Sequence, residues 1–143
     1  MEKLFHLVCR RLGQNSEIIS VGFECISAEE IQLLNKEFRS KNKPTDVLSF
    51  PLLDLKPGDI VTPEGFPMDT NPETGRVELG DIVICQQVAE AQAKQRGHSV
   101  AREVAWLYIH GMLHLFGYTH DTDEGEEVMN KIAQEVLEGA NIE

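Results

Sequence analysis

The sequence has few cysteines and no long apolar run. Cys9, Cys25 and Cys85 are far apart and form no CxxC pair, which indicates reduced, mostly buried thiols in a cytoplasmic protein rather than a disulfide framework. No apolar run approaches the roughly 20 residues of a membrane span, which argues against a membrane protein. Charges interrupt the apolar positions of the first residues and no small-residue cleavage site follows, so a secretion signal is not predicted.

Basic residues are also scarce. Lys and Arg number 13 against 24 Asp and Glu, which gives a formal net charge of −11. Proteins that bind nucleic acid without specificity are normally basic, so this balance argues against that class while leaving a local basic site open. A chain of 143 residues has the size of one domain, and we expect a single domain over residues 1–143.

Apolar spacing predicts five helices and three strands. The helices are expected at residues 2–12, from Ser27 through buried Ile31, Leu34 and Phe38, at 86–96, at 99–116 and at 123–139; the strands are expected at 17–25, 47–50 and 77–85. Five of the six prolines fall in residues 51–76, which predicts a long loop of the kind that forms lids or mobile excursions. This order of elements favours an α+β fold with a small mixed β-sheet covered by helices.

Three of the five histidines lie within eleven residues. His110 and His114 are four apart, so on a helix their imidazoles lie one above the other and can reach one ion. Gly117 can end the helix and let His120 return toward the same ion. Three neutral nitrogens leave a fourth position for water, as in catalytic zinc sites. We therefore predict a metal site on a central apolar helix and the loop after it, with zinc expected and nickel or iron left open.

The same spacing is that of the long metalloprotease motif H-E-x-x-H-x-x-G-x-x-H, a zincin-like arrangement. The glutamate that acts as general base in that motif is Gly111 here. Glu103, two turns earlier, is a conceivable substitute, although a solvated or salt-bridged surface glutamate is the expectation. The motif predicts a metal hydrolase, and the glycine argues against an ordinary protease.

These residues resemble a known family. HGMLHLFGYTHD resembles the H-G-x-x-H-L-x-G-Y-x-H-D signature of the YbeY endoribonucleases, the bacterial rRNA maturation factors; LNKEFRSKNKPTDVLSFP and ELGDIVIC resemble two further signatures of that family. The resemblance implies a zinc-dependent, single-strand-specific endoribonuclease acting in 16S rRNA 3′-end maturation and ribosome quality control. It places the metal ligands at His110, His114 and His120 and an important arginine at Arg39. Family members usually begin with a short strand before the first helix. That strand is missing here.

The basic run around Arg39 is a second candidate site. Lys36, Arg39, Lys41 and Lys43 stand within eight positions of an otherwise acidic chain. A guanidinium near a metal can hold a phosphate oxygen as charge builds in the transition state. We expect Arg39 and His114 to be catalytic, and Arg39, Lys41 and Lys43 to bind RNA. For the two lysines, a solvated loop is an equally good interpretation.

Three further polar residues have more than one interpretation. Asp46 is expected to hydrogen-bond within its own turn, and Asp81 either does the same or orients a ligand histidine. Tyr118 either packs across the metal site or closes the helix end. Two other functions also stay open at this stage. One is a small-subunit assembly factor with a non-catalytic metal, and the other is an atypical metallopeptidase.

Overall fold

Residues 1–142 form five α-helices and three β-strands in the order α1, β1, α2, β2, β3, α3, α4, α5. In this computed structural model, which describes residues 1–142, the helices are α1 (Glu2–Arg11), α2 (Ala28–Arg39), α3 (Gln86–Arg96), α4 (Val100–Leu115) and α5 (Asp123–Gly139), and the strands are β1 (Ile19–Ile26), β2 (Val47–Pro51) and β3 (Val77–Cys85). Glu143, the last residue of the predicted domain, lies outside the described part. The number and type of the elements are as predicted.

The sheet is mixed and β3 is its central strand. β1 pairs with β3 in parallel, and β2 pairs with β3 antiparallel. Side chains along β3 alternate between the two faces, so that Ile82 and Ile84 pack in one buried cluster while Val83 and Cys85 pack in another. Both faces are covered by apolar residues of helices, and the predicted α+β fold with a small mixed sheet is confirmed.

Helix α4 is the central helix of the larger cluster. Ser99 caps its first turn by accepting a hydrogen bond from the Arg102 backbone N–H at 3.1 Å. Its apolar side chains contact β2, β3, α1, α3 and α5. Since α4 has neighbours on most sides, most of its residues are buried. No helix within residues 1–142 is both long and apolar enough to cross a membrane.

The long segment between β2 and β3 is anchored to the core. Leu53, Leu55 and Val61 from this segment are buried. The side chain of Gln14 donates to the Asp59 carbonyl at 2.8 Å and accepts from the Val61 N–H at 3.0 Å. The segment also contains one 3₁₀ turn, Pro67–Asp69. It is therefore a packed loop rather than a loose excursion.

One expectation about burial is wrong and another is confirmed. Phe38, predicted to be buried, is 52% exposed, because its ring lies at the sheet edge, edge-on to Phe50. Cys9 and Cys85 are buried and free, and Cys25, near the end of edge strand β1, is free and exposed. The prediction of mostly buried thiols is therefore confirmed.

Candidate metal centre and nucleic-acid cleft

The first two histidines lie one turn apart on α4. His110 is 6% exposed and His114 is half-buried. The next position, Gly111, faces the sheet, where an added Cβ would come within 2.9 Å of Ile82 Cγ2. Helix α4 thus approaches β3 closely at Gly111, while His110 and His114 line a cleft together with residues of α5. A side chain at position 111 would meet the buried Ile82.

Gly117 permits the turn that brings the third histidine back. Its φ is +96°, and a Cβ at this position would lie 2.2 Å from the Leu55 carbonyl oxygen, so only glycine fits. The ring of His120 then lies with its centroid 4.7 Å from that of His114 and 5.6 Å from that of His110. The structure therefore brings the three predicted imidazoles into one cluster.

The ring nitrogens of the histidines on α4 have defined partners. His110 Nδ1 lies 2.9 Å from the Trp106 carbonyl oxygen, and His114 Nδ1 lies 3.0 Å from the Tyr118 carbonyl oxygen. His110 Nε2 lies 3.0 Å from Asn130 Oδ1 on α5. Within residues 1–142, no three His, Cys, Asp or Glu side chains already form a metal-binding group. The rings are close together, but the His110 Nε2 contact with Asn130 would have to be exchanged for an ion.

The surroundings of His114 shift its pKa toward the neutral form that a metal ligand requires. Burial lowers its pKa below the ordinary value, and the neighbouring His120 and His110 lower it further, against an opposing effect of the Tyr118 carbonyl. A neutral imidazole with its proton on Nδ1 keeps the Nε2 lone pair for an ion.

His114 lies where two clefts meet. The first cleft, of about 540 Å³, is lined by all three histidines and by residues of α5. The second, of about 480 Å³, is lined by Arg39, β2 and the α4–α5 turn. His114 lines both. The two clefts together provide room for an extended substrate on both sides of the histidine cluster.

Arg39 and His114 line the same second cleft, although they are far apart in sequence. Arg39 Nη2 donates to the Ser49 carbonyl oxygen at 3.0 Å, and its guanidinium carbon lies 5.8 Å from the centre of the Phe50 ring. These contacts hold the exposed guanidinium against β2. Lys41 and Lys43 are exposed and line neither cleft, so the structure does not bring them to the histidines.

Tyr118 and the two aspartates have separate positions. Tyr118 closes the helix end, since its N–H donates to the Leu113 carbonyl at 3.0 Å, while its own carbonyl faces His114. Asp46 Oδ1 accepts from the Val47 N–H at 2.8 Å, as expected for a turn, and Asp46 also lines the first cleft. Asp81 is exposed and lines a different pocket, so it does not orient a ligand histidine.

Glu103 is not a surface residue. Its side chain is 0% exposed, and its two carboxylate oxygens lie 2.6 Å from Arg96 Nη1 and 2.6 Å from His98 Nε2. The expectation of a salt bridge is met, and the expectation of a surface position is wrong. Since both oxygens are already paired, Glu103 is not available as a substitute for the missing protease base.

Sequence reasoning missed four residues that line the first cleft. Arg102 and Trp106 stand on α4, and Asn130 and Gln134 stand on α5. The signal was present, because positions 102, 106, 110 and 114 are successive steps of four on one helix. The partners on α5 required the tertiary structure.

Comparison with known proteins assigns the family. The family model described as Endoribonuclease YbeY matches residues 1–141. The chain belongs to this family. The resemblance drawn from the three sequence signatures is therefore confirmed, and it extends over nearly the whole chain.

Relatives that carry this name agree with the assignment. An Endoribonuclease YbeY of Acetivibrio thermocellus is 43% identical over 80% of this chain and 69% of its own length. One from Thermoanaerobacter sp. is 38% identical over 99% of this chain and 89% of its own length. A solution structure of a Thermotoga maritima protein is 29% identical and has a TM-score of 0.57, covering 98% of this chain and 80% of that protein. The family is one of enzymes that cleave RNA, and an ordinary peptidase is disfavoured.

Proposed function

We propose that this chain is a zinc-dependent, single-strand-specific endoribonuclease. It acts in the cytoplasm on 16S rRNA during 3′-end maturation and ribosome quality control, in contact with the small subunit. The observation that carries the proposal is the position of His114, which shares one cleft with His110 and His120 and the other with Arg39. Metal chemistry and phosphate recognition would therefore meet at one point of an extended groove.

The donor set of the cluster fits zinc. Three imidazoles suit zinc, nickel and iron, and a neutral ring is the form that binds. The Nδ1 contacts of His110 and His114 with backbone carbonyls would fix ring orientation. The Nε2 of His114 would then be left for the ion, whereas the Nε2 of His110 would exchange its contact with Asn130 for the ion. When bound, the ion would polarise a phosphate oxygen and lower the pKa of a water molecule toward about 7.

Arg39 would supply the second charge of the reaction. Its guanidinium can bind two oxygens of one phosphate and stabilise the negative charge that builds there during cleavage. The contacts with Ser49 and Phe50 restrict the side chain before substrate arrives, which reduces the entropy lost on binding. The Glu103 carboxylate is excluded as general base by its two partners.

Two variants test the proposal. The variant His114→Ala is expected to lose bound zinc and RNA cleavage together. The variant Arg39→Glu should retain zinc, as measured by metal analysis, and lose cleavage of a single-stranded RNA. Arg10→Glu, an equal charge reversal at an exposed position of α1, is the control and should retain both. Full cleavage by His114→Ala that is free of metal would refute the metal role.

A second candidate function is an assembly factor of the small subunit whose metal is not catalytic. It shares the family assignment and the histidine cluster, and it differs in leaving cleavage to partner nucleases. The alternative would be favoured if purified, zinc-loaded protein binds single-stranded RNA without cutting it and His114→Ala behaves identically. Cleavage that disappears in His114→Ala would favour the nuclease.

A further inference from the structure

The first cleft is a groove between two polar stripes. On α4 the stripe is formed by Arg102, Trp106, His110 and His114, and on α5 it is formed by Glu126, Asn130 and Gln134. Residues four apart on a helix share a face, so each stripe runs along its helix. We call this region the α4–α5 groove. The histidine cluster occupies one end of it, and Arg102 occupies the other.

Two side-chain contacts join the two stripes across the groove. His110 Nε2 lies 3.0 Å from Asn130 Oδ1. Arg102, two turns before His110 on α4, donates from Nη2 to Gln134 Oε1 at 3.3 Å. Gln134 lies one turn after Asn130 on α5. The two helices are therefore antiparallel along the groove. Glu126 lies near the histidine end, and the cationic end is the one formed by Arg102.

The Arg102 guanidinium is held in place at its end of the groove. In addition to Gln134, it donates through Nη1 to the Ile142 carbonyl oxygen at 3.2 Å. A guanidinium has five N–H donors, so these two bonds leave others for a phosphate. The nearby Arg96 is already paired with buried Glu103. The cationic character of this end therefore rests mainly on Arg102.

Trp106 lies midway between Arg102 and the histidines. Its indole is half-buried, and its ring centroid is 4.5 Å from that of His110. His110 lies eight positions after Arg102 on the helix, which is about 12 Å along the axis. An aromatic face followed by a fixed cation is the combination by which proteins bind single-stranded nucleic acid, through base stacking and phosphate contact.

We propose that the α4–α5 groove binds the single-stranded RNA next to the cleaved phosphate, with one base stacked on Trp106 and the following phosphate bound by Arg102. The inference rests on the proposed function, since it takes the histidine cluster as the cleavage site. It adds a physical basis for strand selectivity. A paired base would first have to unpair and leave its stack to reach an indole between two helices, at a cost of about a few kcal/mol that a single strand does not pay.

The chain contains a built-in reporter, because Trp106 is its only tryptophan. The full chain with zinc is titrated with a single-stranded hexanucleotide of 2′-O-methyl riboses, and tryptophan emission is followed. We expect saturable quenching by the single strand and none by the same sequence as a duplex. This measurement needs no variant and reads the groove whether or not the protein cleaves RNA.

Arg102→Ala tests the phosphate contact. Loss of one phosphate contact should flatten the slope of log affinity against log salt by about 0.7. In cleavage assays the variant should raise KM with little change in kcat. Arg102→Lys should restore most of the salt slope, which separates a charge effect from a folding effect. Arg10→Ala, on the exposed face of α1, is the matched control and should change neither quantity.

The outcomes separate this inference from the proposed function. If the protein cleaves single-stranded RNA but the hexanucleotide leaves Trp106 emission unchanged, the proposed RNA-binding role of the groove is wrong and the proposed nuclease function stands. Saturable quenching without any cleavage would support the groove and overturn the nuclease. A salt slope that is unchanged in folded Arg102→Ala would remove Arg102 from the substrate path.

Discussion

His110 illustrates how single contacts control this site. Its Nδ1 lies against the Trp106 carbonyl and its Nε2 against Asn130 Oδ1, so both ring nitrogens face oxygen atoms. A metal ion needs the Nε2 lone pair, and binding must therefore break the contact with Asn130. The sequence showed the histidine, but it did not show the competitor, which lies twenty residues later on another helix.

Replacement of Asn130 is expected to strengthen metal binding. The variant Asn130→Ala removes the amide that contacts His110 Nε2, so zinc binding no longer has to break that contact. Zinc affinity should therefore rise by about three- to tenfold, which corresponds to a net hydrogen bond of roughly 0.5–1.5 kcal/mol. Competition with a chromogenic chelator measures the change. Gln134→Ala, one turn along the same stripe, lacks a histidine contact and should bind zinc like the parent. Weaker binding by Asn130→Ala would show instead that Asn130 supports the ion.

Gly111 is a second residue whose role depends on a close approach. Gly111→Ala should lower the free energy of unfolding by about 1–3 kcal/mol, since its Cβ would overlap the buried Ile82 side chain. Gly139→Ala, where an added Cβ meets nothing within 4 Å, is the matched helical control and should be neutral or stabilising. Urea denaturation of both variants checks the prediction. If Gly111→Ala leaves the free energy of unfolding unchanged, α4 can shift away from the sheet.

At the scale of elements, a buried ion pair ties α3 to α4. Arg96 ends α3, His98 follows in the short connection, and both contact the fully buried Glu103 of α4. Pairing is what permits a carboxylate to lie in the core, because an unpaired charge there is costly. The same helix presents its polar stripe to the groove, so this pair helps to hold the site against the sheet.

Removing the charge of Glu103 should destabilise this junction. Glu103→Gln retains the shape of the side chain but weakens both contacts, and we expect a loss of about 1–3 kcal/mol in the free energy of unfolding. Glu37→Gln, at an exposed position of α2, should stay within about 0.5 kcal/mol of the parent. If both variants have the same free energy of unfolding, the attraction within the ion pair only offsets the cost of burying the Glu103 carboxylate.

A second ion pair joins the first and last helices. Arg11 Nε on α1 donates to Glu135 Oε2 on α5, and this bond lowers the pKa of the Glu135 carboxyl below its ordinary value. A depressed pKa in the folded state adds stability above the unfolded value, and that stability is lost as pH falls through the folded pKa. Glu135→Gln should therefore melt slightly below the parent at neutral pH. The difference should shrink as the pH falls through the folded-state pKa of Glu135, as followed by circular dichroism, and a difference independent of pH would contradict the assignment.

At the scale of the whole molecule, the proposed metal would join α4 to the turn that follows it. Zinc that binds only the folded chain should raise stability by about 2.7 kcal/mol at a hundredfold excess over its dissociation constant. Thermal melting should therefore shift upward by several degrees with zinc and return with a chelator. His114→Ala should show no shift, and an equal shift in that variant would place the ion elsewhere.

The sequence by itself determined the elements, the family and the candidate ligands. Helical spacing and caps are local properties, so Ser27, Gly117 and the histidine spacing could be interpreted without coordinates. Phe38 and Glu103 were misjudged, because burial depends on which elements pack together and not on local pattern.

Only the tertiary structure decided what surrounds the three histidines. The fold places Arg39 in one cleft with His114, although the two are distant in sequence. Contacts between other distant residues place Asn130 against His110 and Gln134 beside Arg102. Such pairs carry no local signal, since they arise from the packing of α4 against α5 and against β2. The three imidazoles could be named from spacing alone, whereas the groove that gives them a substrate path is a property of the folded chain.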